Sequence, residues 1–453
     1  MSLSLPEVNA DPTVQQNFRR IAQKFPLSNI TTFKTVKDYG AKGNGTTDDT
    51  AAIQAGINAV STTTGGVLLF PTGDYKITSG LTRTGDGLRL MGAGPRQSVI
   101  VPTMSTGYAL DLTSSHNQLY GIGFDGTNCT GDARAWRLAK ATSRNVMQNV
   151  EVSGYNADNV FACRMEGSLD NTFINCDWQD NKAHLQVGES SDHAFPSNEN
   201  TFIGCKFQTV RWASGSAVAI GDSEGNRFRD CLFQSNEGLY TFVIENTATG
   251  GEPDCRLNQI TGCWFEQNGN NQANSHHIHV AGYVSTSPVI GTVVRDNMLL
   301  AAGANWPHVA IYRLNSHAML IDGNYDNFPG APTNTGVFVE SGADVTATSW
   351  GHNIFVGDLI GSDARTTVAS AATITLPSEQ DFLVVTGATT ITSITASWRN
   401  RIVELRFDTV GTQVTKGSNL KMPSNFVATT SEAQLVLACN GVNWIEMSRS
   451  LNS

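Results

Sequence analysis

The chain has 453 residues, of which 15% are charged and 43 are glycine, and its formal charge is −10. That length allows a large core and more than one domain, and a Gly-, Asn-, Thr- and Ser-rich composition suits turn-rich β structure rather than helical bundles. An acidic balance without a basic run argues against a nucleic-acid partner, and no apolar stretch reaches the roughly 18 residues that would span a membrane.

In chain order, residues 11–25 read as a short helix, with Asp11-Pro12 supplying an N-cap and first turn. Val14, Phe18, Ile21 and Phe25 line one face. A helix this short is marginal alone, so the face is expected to bury on its own domain or in a coiled-coil collar that sets oligomer number. The opening segment lacks the basic start and apolar run of a signal peptide, so none is expected. The Gly-rich stretch Thr35–Thr50 lacks the Gly-Lys-Ser/Thr ending of a phosphate loop, and its acidic pair would repel phosphate. The better reading is a cap: Asp48 or Asp49 starts a helix from Ala51 to Val60 that closes the open end of the domain that follows.

A nine-residue pattern then recurs from Asn171, Asn200, Asn226 and Asn258, with starts 29, 26 and 32 residues apart. Weaker copies begin at Asn117 and Asn145, and near Thr292 and Ala318. A period in the range of about 20–50 residues marks a repeat architecture. The third, sixth and eighth positions (Phe173, Cys176 and Trp178 in the first strong copy) are apolar and are expected to point inward. The fifth is Asn175, Gly204, Asp230 or Gly262, with Gly121 and Asn149 upstream, all types that tolerate a left-handed backbone. One such residue between two short strands makes a corner and restarts the period-2 alternation. Stacked copies give a parallel β-helix. Cys176, Cys205, Cys231 and Cys263 then form an internal column of small buried hydrophobes rather than a metal site or disulfide ladder. No Cys-x-x-Cys pair occurs, and the eight cysteines are expected to be reduced.

Outward positions are the candidates for chemistry. The ninth position stacks Asp125, Ser153, Gln179, Gln208, Gln234 and Glu266, a column whose amides can bond along the ladder. Trp264 and Glu266 point outward on one strand, and an exposed indole beside a carboxylate suits a sugar subsite. A second strand repeats from His184, Ala217, Thr241, His277 and Gly336, and its end carries Glu189, Asp222, Glu245 and Glu340. Coils lie about 4.8 Å apart, which makes Asp222 and Glu245 neighbours. Glycoside hydrolysis uses such a carboxylate pair, and crowding raises one pKa to prepare an acid. His277 and His279 are expected to face one side of their strand; with no third ligand evident, they read as structural or sugar-contacting rather than as a zinc site. No metal or other cofactor is expected. A lyase would instead need a His, Tyr or Lys base on an acidic polymer, against which the net charge weighs weakly. After about Thr366 the repeat stops, and alternating runs such as Ile402–Phe407 and Leu435–Leu437 read as a separate antiparallel β-sandwich.

Lys37–Gly45 through Thr47–Thr50, followed by Gly66–Pro71, Gly73 and Tyr75, resembles the opening of the pectate-lyase-like superfamily of right-handed β-helix proteins, and within it bacteriophage tailspikes and capsular-polysaccharide depolymerases. The resemblance runs from about Thr35 to the mid-350s. It implies a homotrimer on a virion tail, attached directly or through an adaptor protein, made in the bacterial cytoplasm and acting outside the cell on a host surface polysaccharide. The expected architecture is all-β. Residues 1–34 form an N-terminal helix and attachment segment, 35–365 a capped right-handed parallel β-helix, and 366–453 a C-terminal β-sandwich for trimerisation or glycan binding. The expected activity is endo-hydrolysis of capsule or O-antigen. Glu245 and Glu266 lead as acid and base with Asp222 as alternate partner, while Trp264, Glu189, His277 and His279 bind substrate. The rival readings are a non-enzymatic receptor-binding fibre and a polysaccharide lyase.

Overall fold

The computed structural model describes residues 33–451 apart from 61–65, 159, 189–195, 212–214, 247–254, 269–274, 284–286, 301–307, 328–334, 340–348, 351–352, 356–366, 378–381, 398, 400 and 432. The expected helix at 11–25 lies outside the described residues. The chain divides into two compact units, residues 1–357 and 358–453.

The first unit is a right-handed parallel β-helix built from two sheets of twelve strands and one of ten. The first sheet holds the leading strand of each repeat (Thr172–Ile174, Thr201–Ile203, Arg227–Arg229, Gln259–Thr261), and the second holds the trailing strand (Asp177–Gln179, Lys206–Gln208, Leu232–Gln234, Trp264–Glu266). The third holds longer strands, among them Asp132–Leu138, Ser216–Gly221, Tyr240–Asn246, Ser275–Gly282 and His308–Leu314.

Like residues stack on like because the coils pair in strict register. Phe173, Phe202 and Phe228 are successive partners, and their rings stack at 4.5 and 4.3 Å. Trp178, Phe207, Phe233 and Phe265 do the same at 4.7, 5.0 and 4.5 Å. Each ring is fully buried, worth about 1.5–3 kcal/mol of burial apiece. Between the two strands, Asn149, Asn175 and Asp230 take φ of 58°, 49° and 55°, and Gly121, Gly204 and Gly262 take 62°, 60° and 63°. The left-handed corner is therefore present at every fifth position named from the sequence. The four column cysteines are buried free thiols lying against main-chain carbonyls.

The first position of the repeat has a role that its recurrence alone did not disclose. The buried Asn117, Asn145, Asn171, Asn200, Asn226 and Asn258 form an internal rail in which each Nδ2 donates to the next Oδ1 at 2.8–3.1 Å. Each Oδ1 also accepts the main-chain N–H of the preceding asparagine. The outer glutamine column is shorter than its spacing suggested. It runs Gln208 to Gln234 to Glu266 at 2.8 and 3.2 Å, whereas Gln179 donates to Glu151 instead.

The helix Thr50–Ala59 buries Ile53 and Ile57, and its two acids divide the work. Asp48 accepts the Thr50 N–H at 3.0 Å, while the buried Asp49 accepts from Lys42 N and Gly43 N at 2.6 and 2.8 Å and so pins the Gly-rich loop.

In the second unit, Ile402–Phe407, Ala433–Cys439 and Trp444–Ser450 pair antiparallel and close on a core that includes Leu383, Leu405, Phe407, Phe426 and Trp444. The strands that lead into this sandwich, Thr367–Ala369 and Phe382–Thr386, pair in parallel, a distinction that alternation cannot signal because it is the same in both kinds of strand.

One outward residue carries a stability consequence. Burial, then the charge of Glu151, push the Asp177 carboxyl from 3.8 up to about 6. The folded state thus holds that proton more tightly than the unfolded chain, and stability falls as pH rises from about 4 to about 6. Asp177→Asn is expected to raise the melting temperature by a few degrees at about pH 7.5 and to give no gain near pH 4, as followed by thermal unfolding.

Candidate active face

Third-sheet strands depart from simple alternation in a way that builds a site. Two successive residues are buried in each: Ala135-Trp136, Ala217-Val218, Thr241-Phe242 and His277-Ile278. Residues on either side of the pair therefore share the outer face. On Ser275–Gly282 these are His276 and His279, whose Nδ1 atoms lie 2.9 Å apart, though all eight residues of that strand are buried and these two keep only a sliver of surface. Sequence alternation had put His277 with His279; the structure separates them. His277 is fully buried with its ring 5.7 Å from Phe265, which removes it from any sugar on the surface.

The histidine pair sits between two tyrosines from adjacent coils. Tyr312 stacks on His276 and His279 at 4.4 and 4.6 Å, within 9° and 4° of parallel. Tyr240 lies 5.1 and 4.3 Å from the same rings. Burial, then the neighbouring His276, drop the His279 pKa to about 3, so this imidazole is neutral at physiological pH.

Glu245 lies near the end of Tyr240–Asn246 and accepts a 2.9 Å hydrogen bond from the hydroxyl of Tyr283. Tyr283 is 50% exposed and follows the histidine strand directly. Burial first, then the charge of Asp222, raise the Glu245 pKa, and the Tyr283 hydrogen bond opposes them. Burial and then the Glu245 charge push the Tyr283 and Tyr240 hydroxyls up in turn. Asp222 sits one coil away, buried, at φ 41°, with its N–H donating to the Glu245 carbonyl at 3.2 Å. Its left-handed backbone is of the same kind as at the corner residues Asp230 and Asn175, which asparagine and aspartate tolerate.

Of the sequence candidates, Asp222 and Glu245 are thus brought together. Glu266 is not with them: it ends a second-sheet strand, and the chain passes from there into the start of the third sheet, whereas Glu245 lies towards the far end of a third-sheet strand. Trp264 points outward as expected and is 41% exposed, with Glu266 on the same strand. Glu189 and Glu340 lie outside the described residues. Tyr240, Tyr283 and Tyr312 were missed. Tyr240 and Tyr312 lie in repeated strands, but no tyrosine recurs at either position, and Tyr283 falls in a turn without periodicity. Among the described residues no group of three His, Cys, Asp or Glu side chains is placed to hold a metal ion.

Residues 33–248 match the family model described as rhamnogalacturonase A/epimerase, pectate lyase-like. That match spans just under half of the chain. Mannuronan C5-epimerase AlgE3 of Azotobacter vinelandii is 29% identical over 222 residues, covering 47% of this chain and 11% of that protein. The chain thus spans about a tenth of that relative's length. Among solved structures, the ORF18 protein of Geobacillus virus E2 superposes with a TM-score of 0.54 at 17% identity, over 97% of this chain and 79% of that one. Tailspike protein 3 of bacteriophage CBA120 gives 0.53 at 12% identity, over 80% and 52%. These structural likenesses concern the fold alone.

Proposed function

We propose that the protein is a phage tailspike that binds a bacterial surface polysaccharide, capsule or O-antigen, and hydrolyses it within the chain on the outer face of the third sheet. The observation that carries this reading is Glu245, a partly buried carboxyl with a raised pKa beside Asp222 and under an exposed tyrosine hydroxyl. Glu245 donates its proton to the leaving glycosidic oxygen while water attacks the anomeric carbon, and the buried Asp222 acts through its charge, which keeps the Glu245 proton in place. His279 is buried in the stack between Tyr240 and Tyr312, and the exposed edges of those two half-buried tyrosines are what a sugar would meet. Trp264 and Glu266 give a separate sugar contact on the second sheet. A homotrimer on the virion tail, held there directly or by an adaptor protein, completes the reading, which draws on the tailspike fold likeness and on the polysaccharide-active relative.

Eliminative cleavage is a second reading with one observation of its own: a phenol hydrogen-bonded to a carboxylate is a pair able to exchange a proton with the carbon beside a uronate. The test is incubation of the protein with capsules and lipopolysaccharides from many bacteria, following reducing ends, product size and ultraviolet absorbance. Shortened saturated oligosaccharides from one strain support hydrolysis. An absorbing double bond in the products replaces it with elimination, and binding without cleavage of the true host's glycan reduces the protein to a receptor-binding fibre.

The Tyr283 bond makes a pH prediction. It holds the Glu245 pKa down, so Tyr283→Phe raises that pKa further. An acid catalyst works while protonated, and activity is lost as pH rises through its pKa. The alkaline limb of the kcat/KM profile is therefore expected to move to higher pH in Tyr283→Phe, and a shift to lower pH would contradict Glu245 as the acid.

A further inference from the structure

The same outer face carries a second constellation, four strands away from Glu245. Arg137 and Arg164 take up two nearby carboxylates, Asp111 and Glu166. Arg137 binds Asp111 through Nε and Nη2 at 2.9 and 2.5 Å and Glu166 through Nη1 at 3.1 Å. Arg164 lies 3.3 Å from Glu166 and donates to Gln186 at 3.0 Å. Tyr108 gives its hydroxyl to Glu166 at 3.1 Å. Arg134, three residues before Arg137 and on the same outer face, is left over. Its guanidinium lies 5.8 Å from the centre of the Tyr108 ring, and no described residue gives it a hydrogen bond or ion pair. Asp132 and Glu166 act on it only as more distant charges. Burial depresses its pKa, the mark of a charge partly stripped of water.

A half-buried guanidinium with its donors open costs free energy unless a ligand satisfies them. Its planar fork fits a carboxylate edge with two parallel bonds, and it lies beside the Tyr108 ring, which Arg137 approaches to 4.8 Å. The open donors of Arg134, rather than a net charge, recommend an anion here, since Arg134, Arg137 and Arg164 are balanced by Asp111, Glu166 and the more distant Asp132. Although the chain as a whole is acidic, this part of the face is not. Register links it directly to the candidate site: Arg137, Arg164, Gln186, Ala219, Val243 and His279 are successive partners. From Arg137 to Val243 is four steps of about 4.8 Å, roughly 19 Å. The floor between is low. Ala219 is small and partly exposed, whereas Ser216 and Gly221 beside it are buried, so the part of the floor that meets solvent runs along the Gln186–Ala219 column.

We propose that Arg134, beside Tyr108, is a subsite for a sugar carboxylate, so that the bound polysaccharide is acidic and lies across the third sheet with a uronate-type unit four coils, roughly 19 Å along the solenoid axis, from the coil that carries Glu245. This rests on the reading of the face as a polysaccharide site.

The test uses full-length Glu245→Gln protein, which binds without cleaving, on an array of bacterial capsular and lipopolysaccharide glycans. Each acidic glycan is also present in carboxyl-reduced form, and phosphodiester polymers are included. The expected result is that bound glycans carry carboxylates and that carboxyl reduction weakens binding by roughly 10- to 100-fold. Adding Arg134→Gln should weaken the acidic form by the same factor and leave the reduced form untouched, since the two changes remove one interaction. Arg134→Lys keeps the charge without the fork and should fall between; it also reads the subsite if the glutamine variant folds poorly. Neutral glycans among those bound, Arg134→Gln binding like its parent, or losses that simply add would overturn the proposal. A phosphodiester glycan lost on Arg134→Gln would assign the subsite to phosphate instead. If the wild-type protein and Glu245→Gln both bind nothing on an array containing the host glycan, the polysaccharide reading itself fails.

Discussion

Glu245→Gln is expected to lower polysaccharide cleavage by roughly 10²- to 10⁴-fold while changing glycan binding only a few-fold, the span that removal of a positioned acid commonly costs. Glutamine keeps the shape of the side chain and still accepts from Tyr283, but has no carboxyl proton to give. The change also removes a titrating group that burial and Asp222 hold above its ordinary range, so the alkaline limb of activity should vanish along with the rate. Steady-state kinetics on the polysaccharide found by the panel, with binding measured in parallel, separates the two effects. Glu266→Gln is the matched control. It lies on the second sheet, bonded to Gln234 at 3.2 Å, and should cost little in cleavage. A loss from Glu266→Gln equal to that from Glu245→Gln would place the chemistry between protomers rather than on one chain's third sheet.

The largest stability effect is expected at Asn200. Its Oδ1 accepts from Asn171 N and Nδ2 at 3.1 and 2.8 Å, and its Nδ2 donates to Asn226 Oδ1 at 2.9 Å. Asn200→Ala leaves two donors of Asn171 without that acceptor where no surface water reaches, and opens a small cavity beside Phe202. At about 1–3 kcal/mol for each buried polar group left unpaired, a loss of roughly 3–5 kcal/mol follows. Long solenoids commonly unfold irreversibly, so the readout is the unfolding rate at fixed temperature rather than an equilibrium midpoint. Gln208→Ala, which breaks a solvent-facing bond of 2.8 Å to Gln234, should change that rate far less. Equal effects from the two would mean that the internal rail contributes no more than the outer one.

Much of the first unit was legible because its information is local. A corner needs a residue that accepts φ near 60°, and Asn175, Gly204, Asp230 and Gly262 state that requirement in their own chemistry. Inward positions announce themselves as Phe, Cys and Phe or Trp. What escaped depended on geometry between segments. Period-2 alternation assigns His277 and His279 to one side, but the doubled inward pair His277-Ile278 shifts the phase and joins His276 to His279 instead. Glu245 and Glu266 are 21 residues apart in the chain, a number that does not say that a turn into the first sheet and another into the second intervene. Asp222 and Glu245 were paired correctly because they end the same repeating strand on adjacent coils. Arg134 gave no signal, since an unpaired guanidinium is visible only once the partners of Arg137 and Arg164 are known.

The strict register has a meaning for how such a protein can change. Each outward residue has an address, a coil number and a column, and both are kept when neighbouring coils are inserted or removed as whole units. The guanidinium of Arg134 and the carboxyl of Glu245 are the two jaws of a caliper whose opening is counted in coils. Duplicating one coil between them would widen that opening by about 4.8 Å while leaving each jaw intact. Lineages carrying this solenoid can therefore fit a new repeat length by gaining or losing a coil, and separately fit a new sugar by changing a jaw.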